Sequence, residues 1–398
     1  MGTHAKKLSI LAAVCFLVRV IPAFAVYGTS DVNAWRIFAD YLQSGPFLGL
    51  YEAVHPNYPP LVPVISYLAL LVSDLTGLPF WGLVKLPSIA ADCLTACLIY
   101  RGLLNSGRTE KGALLAAALF VLNPVSILVT SVHGQYDPFT MLFCALAWYQ
   151  YEFGERPRGT RLSALLLGIA ILAKNFPAIL LPLFLLREEK NRDRLVYAAI
   201  ACLPAALSLL PFLLVTPDAI LGNVGAYSSR FGHWGYMLLL GVLHNHSGLA
   251  FIAGMKTLGS AYGKYLLVAC LGLYYFRTAR KKRPLLDDII SLFLVFYCLT
   301  AGFGIQYLVW IVPFAALRGE RKFGYYTLFS GLWMIFWYLP FISGRFYSFV
   351  SGISGDALFW KAATAFSLLS WLTCIAWLIE RETKRVEPAG PAGADMNL

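Results

Sequence analysis

Long apolar runs separated by short basic clusters are the feature that most constrains how this chain can fold. Only 13% of the residues are Asp, Glu, Lys or Arg, and 59% are apolar, whereas about a quarter of a typical soluble domain is charged. The runs are continuous rather than alternating, which predicts membrane-spanning helices and not barrel strands. At about 20 residues per span, the length allows roughly ten to thirteen spans. The positions of the basic clusters predict an all-α polytopic membrane protein with roughly twelve crossings.

The net charge of +11 does not indicate a nucleic-acid partner. Nucleic acid would require basic residues gathered on one solvated face, but here they stand in short clusters between apolar runs, which is typical of membrane topology. The eight cysteines lie inside apolar segments and predict neither a disulfide framework nor a zinc site. We therefore expect membrane lipid, and not nucleic acid, as a partner.

Basic residues stay on the cytoplasmic side, so the clusters assign a side to each loop. This rule places residues 28–82 and 216–259 outside. Residues 162–186 lie between two basic clusters, so we expect them to go out and back as two short arms that turn at Lys174. Such arms are too short to span alone and are tolerated where they line a cavity.

The first external loop is expected to begin with an amphipathic helix on the membrane surface, followed by a second surface segment at about residues 61–77. Four of its residues share one helical face: Asp31, Trp35, Phe38 and Leu42. Two interpretations of Ser30 and Asp31 remain open. They can form the N-cap of this helix, or Asp31 can be a carboxylate that faces a cavity and accepts a proton from a hydroxyl.

A dense polar run, His133 to Pro138, stands at the predicted outer tip of the next hairpin. Asp137 before Pro138 is typical of a helix cap and first residue, so we expect a structural role for Asp137. A helix start does not require His133 or Gln135, which makes those two the better ligand candidates.

The third polar run, Lys174 to Pro177, is expected to form the turn between the two short arms. We expect Asn175 to be the cap and Pro177 to open the second arm. Lys174 can snorkel at the interface, but at the tip of a hairpin too short to span it is better placed to face a polar cavity.

Two further polar segments follow, residues 227–235 (YSSRFGHWG) and 304–310 (GIQYLVW). Arg230, His233 and Gln306 are ligand candidates within them. An interfacial aromatic belt with one basic anchor is the competing interpretation, and it applies to Tyr307 and Trp310 as well. The candidates together place a carboxylate, cations, imidazoles and amides on one side of the membrane. This combination suits an anionic lipid-linked substrate with sugar hydroxyls.

In this order the motifs resemble the GT-C superfamily of polytopic glycosyltransferases over about residues 8–318. They are similar to the dolichyl-phosphate-glucose enzymes of N-glycan precursor assembly and to the first mannosyltransferase of GPI biosynthesis. The motifs that carry the resemblance are SDVNAW, NYPPL, HGQYD, AKNFP, YSSRFGHWG and GIQYLVW.

The resemblance implies a single integral membrane domain, residues 1–398. It implies a catalytic module at about 8–215 and a variable C-terminal module at about 216–380; residues 387–398 are small and polar and predict a disordered cytoplasmic tail. The implied activity is inverting transfer of a hexose, mannose or glucose, from a polyprenyl or dolichyl phosphate to a lipid-linked or glycan acceptor. The site would be extracytoplasmic, in a bacterial or archaeal plasma membrane, or in the ER membrane of a eukaryote.

The residue matching the superfamily's catalytic carboxylate is Asp31, which implies that Asp31 is the base. We assign Lys174 and Arg230 to the donor phosphate, because a departing phosphate gains charge that fixed cations stabilise. Five further residues are candidates for binding sugar or phosphate: Tyr58, His133, Gln135, His233 and Gln306.

The GPI branch has two aspartates in a D-x-D pattern, whereas this chain has Asp31 and Asn33. The pattern therefore gives no support for an obligatory metal, and a divalent metal stays an open alternative. The competing class is a transporter or flippase of lipid-linked sugars, which would also have broken helices and buried polar groups. A flippase should carry ionisable groups along its whole path, but Asp92 is the one acidic residue placed well inside a predicted span.

Overall fold

A computed structural model describes residues 3–225, 229, 231–281 and 283–383. Over these ranges the regular structure is helical, apart from one isolated antiparallel bridge between Phe231 and Gly302. The all-α prediction is therefore confirmed. Arg230 and the tail at 387–398 lie outside the described residues.

The chain divides into two compact units, Met1–Tyr227 and Ser228–Leu398. The α-helices of the first unit are α1 Thr3–Ala25, α2 Ser30–Ser44, α3 Leu50–Ala53, α4 Leu61–Thr76, α5 Phe80–Leu83, α6 Leu86–Asn105, α7 Glu110–Val121, α8 Pro124–Ile127, α9 Asp137–Phe153, α10 Arg158–Ala173, α11 Leu181–Leu185, α12 Asn191–Val215 and α13 Pro217–Ile220. Two 3₁₀ segments, Phe47–Gly49 and Phe176–Leu180, and two π-helical segments, Leu128–His133 and Leu221–Gly225, connect them.

The second unit contains the longest helix, with 31 residues. Its α-helices are α14 Gly235–Ser247, α15 Ala250–Arg280, α16 Leu285–Leu299, α17 Val312–Arg318, α18 Arg321–Ile342, α19 Gly344–Ser354 and α20 Asp356–Thr383. A 3₁₀ segment, Ile305–Val309, leads into α17.

Four helical stretches are long and apolar enough to cross a membrane: His4–Ala25, Phe80–Asn105, Asn191–Val215 and Asp356–Thr383. Two pairs bent at a short break raise the number to six. The number of roughly twelve crossings stays a prediction. The protein is a multi-pass membrane protein, as predicted.

The helix ends where the turn between the two arms is predicted, and the out-and-back course of the arms stays a prediction. Helix α10 ends at Ala173, and Lys174 has extended backbone with φ −152° and ψ 144°. Phe176 stands before Pro177, and the residue before a proline is disfavoured in a continuing helix. Asn175 occupies the predicted cap position but makes no side-chain cap; its amide donates to the Val224 carbonyl at 3.4 Å instead.

The exposed position of Asn175 gives a direct test of sidedness. We expect Asn175→Cys, in a background without the exposed thiol of Cys202, to react with a membrane-impermeant thiol reagent applied from outside. The reason is that basic clusters flank this hairpin on both ends. The measurement compares the labelling of the introduced cysteine in intact cells with its labelling in inverted vesicles. Reaction from the cytoplasmic side alone would reverse the placement of Lys174.

The predicted surface helix in the first loop is α2, and it packs on α4. Its buried face carries Val32, Trp35, Phe38 and Ala39, whereas Arg36 and Asp40 pair at 2.7 Å on the exposed face. The cap interpretation of Ser30 and Asp31 is wrong, because Thr29 is the N-cap and its hydroxyl accepts from the Asp31 backbone N–H at 3.4 Å. The side chain of Asp31 is therefore not needed to start the helix.

Tyr307 and Trp310 do not form an interfacial belt. Both are buried within the second unit, with their rings stacked at 4.2 Å. The Trp310 ring also lies 5.3 Å from that of Phe296. These rings therefore act as core side chains.

Candidate functional site

A π-helical turn, Leu128–His133, presents the polar run predicted for substrate binding. Asn123 starts the short helix before it by accepting from the backbone N–H groups of Val125 and Ser126. The turn ends at Gly134 with φ +82°, where a Cβ would lie 2.8 Å from the Val32 side chain. Only glycine fits this conformation and this space.

Three hydrogen bonds from other elements fix the residues after the turn. The Trp35 indole donates to the Gly134 carbonyl at 2.8 Å, and the Thr29 hydroxyl donates to the His133 carbonyl at 3.2 Å. From α6, the Ser88 hydroxyl donates to the Gln135 carbonyl at 2.8 Å. The side chains of His133 and Gln135 are thereby held against the beginning of α2.

The carboxylate of Asp31 is the centre of this arrangement. Its Oδ2 lies 2.7 Å from His133 Nε2, and the Gln135 side-chain amide donates to the same oxygen. The side chain of Asp31 keeps 33% exposure, against 8% for His133. The carboxylate is thus held from one side and accessible from the other.

The pKa of Asp31 is set by opposing effects. Partial burial raises it, but the hydrogen bond and charge of His133, the hydrogen bond of Gln135 and the charge of Lys174 together lower the pKa to about 2. A carboxylate that accepts several hydrogen bonds favours its charged form. Asp31 is therefore ionised throughout the physiological range.

Lys174 lies at the same site but is paired. Its ammonium donates to Asp137 Oδ2 at 2.5 Å and to Gln135 Oε1 at 3.4 Å, and it stands 5.2 Å from the centre of the Tyr58 ring. Asp137 is fully buried. The expectation that Asp137 serves as a cap is wrong, since it is the first helical residue of α9 and its carboxylate pairs with Lys174.

Side chains thus form one continuous chain of contacts in the order Asp137, Lys174, Gln135, Asp31 and His133. An aromatic cluster lies beside it, with the Trp35 ring 5.4 Å from Tyr58 and 5.3 Å from Tyr136. Apolar walls of this kind lower the local dielectric and strengthen charge–charge interactions.

The structure brings together five of the predicted site residues: Asp31, Tyr58, His133, Gln135 and Lys174. His233 and Gln306 belong to the second unit. The His233 ring lies 5.1 Å from Trp337, and the side chain of Gln306 folds over Gly304, where a Cβ would lie 2.7 Å from its Oε1.

Within residues 3–225, 229, 231–281 and 283–383, no group of three or more His, Cys, Asp or Glu side chains is arranged to hold a metal ion. Asn33, which replaces the second aspartate of a D-x-D pattern, accepts a hydrogen bond from the Tyr27 hydroxyl at 2.6 Å. The side chains around Asp31 are an imidazole, an amide and an ammonium, which suit sugar hydroxyls and phosphate oxygens.

Residues 57–302, more than half of the chain, match glycosyltransferase family 87. The chain belongs to this family. The family 87 match includes Tyr58, His133, Gln135 and Lys174, and it begins after Asp31. Family membership favours an enzyme over a transporter or flippase.

Two individual proteins are similar to this family 87 chain. An undecaprenyl phosphate-alpha-4-amino-4-deoxy-L-arabinose arabinosyl transferase of Pseudomonas aeruginosa is 32% identical over 143 residues, 33% of this chain, and the match spans only 26% of that relative's length. The crystal structure of ArnT from Cupriavidus metallidurans bound to undecaprenyl phosphate superposes with a TM-score of 0.54 and 12% identity, covering 96% of this chain and 78% of that one. The second likeness shows a shared GT-C fold.

Proposed function

We propose that this family 87 protein transfers a sugar from a polyprenyl or dolichyl phosphate to the hydroxyl of a lipid-linked or glycan acceptor, with inversion. The observation that carries the proposal is the ionised, partly exposed carboxylate of Asp31, fixed by His133 and Gln135 beside the ammonium of Lys174. A base and a cation held together by one amide are the two groups that this transfer requires.

Asp31 acts as the base. The acceptor oxygen attacks C1 of the sugar, the bond from C1 to the phosphate oxygen breaks with its electron pair on the phosphate, and the acceptor proton passes to Asp31. A carboxylate with a pKa of about 2 is a weak base, so it takes the proton late, once the attacking oxygen has begun to bond to C1 and has become acidic. Attack from the side opposite the phosphate inverts the anomeric carbon.

The donor phosphate is assigned to Lys174 and Arg230, with Arg230 lying outside the described residues. An ammonium has three donors, and Lys174 directs two of them to Asp137 and Gln135. We assign the third to a phosphate oxygen, so that the positive charge stabilises the leaving group as its negative charge grows. His133, Gln135 and Tyr58 are proposed to contact sugar or phosphate. For His233 and Gln306 the same assignment stays a prediction from the sequence.

The sugar is proposed to be a hexose, mannose or glucose, on the strength of the motif resemblance to dolichyl-phosphate-glucose and GPI enzymes. The name of the Pseudomonas relative specifies an aminopentose instead, and a donor assay distinguishes the two classes of sugar. The proposed base, Asp31, belongs to the first loop predicted to be external. We therefore propose that transfer occurs on the extracytoplasmic side of a bacterial or archaeal plasma membrane.

The full-length protein, purified in detergent, should transfer sugar from one member of a donor panel to an acceptor in membrane lipid extract. The panel contains undecaprenyl-phosphate-linked mannose, glucose and 4-amino-4-deoxy-L-arabinose. We expect a hexose donor to be consumed and the anomeric configuration of the product to be inverted. Use of the aminopentose alone would overturn the hexose assignment. Movement of donor lipid across the membrane of vesicles, without any sugar transfer, would overturn the proposal that the protein is an enzyme.

A further inference from the structure

Two oppositely charged side chains are buried inside predicted membrane spans, apart from the acidic and basic groups assigned to the reaction. Arg19 of α1 and Asp92 of α6 are almost completely buried, and Arg19 Nε donates to Asp92 Oδ2 at 2.7 Å. Charges at this depth are costly and rare, and they usually serve a function. A buried pair seldom stabilises a fold more than apolar side chains would, so stability alone does not account for it.

The partners of this pair lie on both sides of a break in one span. Arg19 donates to the Val121 carbonyl at the end of α7 and to the Ser126 hydroxyl in α8, both at 2.9 Å. Asp92 Oδ2 also accepts from Ser126 at 2.9 Å and from Thr130 at 2.6 Å. Helix α7 and the stretch Pro124–His133 meet at an angle of 41°, and the pair is hydrogen-bonded to both sides of this bend.

The last of these contacts reaches the site. Thr130 lies inside the π-helical turn, three residues before His133. A π-turn is rare and is found mostly at functional sites. A side-chain bond to a neighbouring helix helps to hold its geometry. The Thr130 hydroxyl supplies such a bond from within the turn.

We propose that Arg19, Asp92 and Thr130 are positioning residues, which fix the π-turn so that His133 and Gln135 reach the carboxylate of Asp31. The inference rests on the proposed function of that carboxylate. Substrate does not contact the three residues in this proposal; they act through the turn. Misplacing a catalytic constellation by a fraction of an ångström lowers the rate of the chemical step more than it lowers binding.

Thr130→Val tests this proposal without leaving a charge unpaired in the membrane, because it removes the hydroxyl, keeps the shape of the side chain and leaves Arg19 on Asp92. With the donor found active in the panel above, we expect kcat to fall about tenfold to a hundredfold while the donor KM changes little. Thr130→Ser restores the hydroxyl and should restore kcat. Thr373→Val is the matched control, since the Thr373 hydroxyl donates within its own helix to Leu369 at 2.8 Å.

The outcomes separate this inference from the proposed function. If Asp31→Asn is inactive and Thr130→Val turns over like the wild type, the positioning role is wrong and the base assignment stands. A loss of thermal stability without a change in kcat would reduce the three residues to structural support and also overturn the proposal. If Asp31→Asn remains active, the proposed function itself fails, whatever Thr130→Val does.

Discussion

Asp31→Asn should abolish glycosyl transfer almost completely while leaving the protein folded and able to bind donor. The fold should survive because Thr29, and not Asp31, caps α2, and because an asparagine oxygen can still accept the hydrogen bond from Gln135. The amide cannot take the acceptor proton, so the loss should reach about a hundredfold to ten-thousandfold, the range typical of removing a general base. Single-turnover transfer rates with saturating donor are the measurement.

A matched control is available on the same helix. Asp40 is an exposed carboxylate of α2 whose visible partner is Arg36, at 2.7 Å, and exposed pairs of this kind contribute about 1 kcal/mol or less. Asp40→Asn should therefore transfer sugar at the wild-type rate. Near-normal turnover by a well-folded Asp31→Asn protein would remove the base assignment.

The sequence could predict the features that follow from local periodicity and charge. The four residues on one face of α2 and the basic clusters around Lys174 are local signals. The structure confirms the helix that the first predicts, and it shows a helix end at Lys174, where the second predicts a turn. Such rules do not predict which of three consecutive cap-favouring residues, Thr29 to Asp31, is the N-cap of α2. Local preference cannot choose among them, and the choice decides whether Asp31 is free to act.

Pairings between distant segments could not be predicted from local pattern. Lys174 and Asp137 are 37 positions apart, and Thr130 and Asp92 are 38 apart; only packing of the helices brings each pair together. The local rule predicts a cap at Asp137 because Pro138 follows it. The helix does start there, but Asp137 is its first residue and its carboxylate pairs with Lys174. The sequence does contain one signal for a buried pair. Asp92 and Arg19 are charged residues inside apolar runs, and charges at such positions usually have a partner.

Replacing Lys174 is expected to have two separable effects, one on folding and one on donor use. Lys174→Ala leaves the carboxylate of Asp137 buried without its ammonium partner, so it should destabilise the protein by about 3 to 5 kcal/mol. Loss of activity in this variant alone would therefore say little about the phosphate. The double variant Lys174→Met with Asp137→Val replaces the pair by apolar side chains and should recover most of the stability.

Donor titration of the double variant decides the role of Lys174. If the ammonium binds the phosphate, a charge-assisted contact of about 1.5 to 3 kcal/mol is lost, and the donor KM should rise about tenfold to over a hundredfold in a folded protein. Asp137→Asn, which keeps the ammonium, should retain donor use, and Lys111→Ala, at an exposed position of α7, controls for loss of a surface charge. A wild-type donor KM in the double variant would mean that Lys174 only neutralises Asp137. The phosphate would then have to be held by other cations, with Arg230 the first to test.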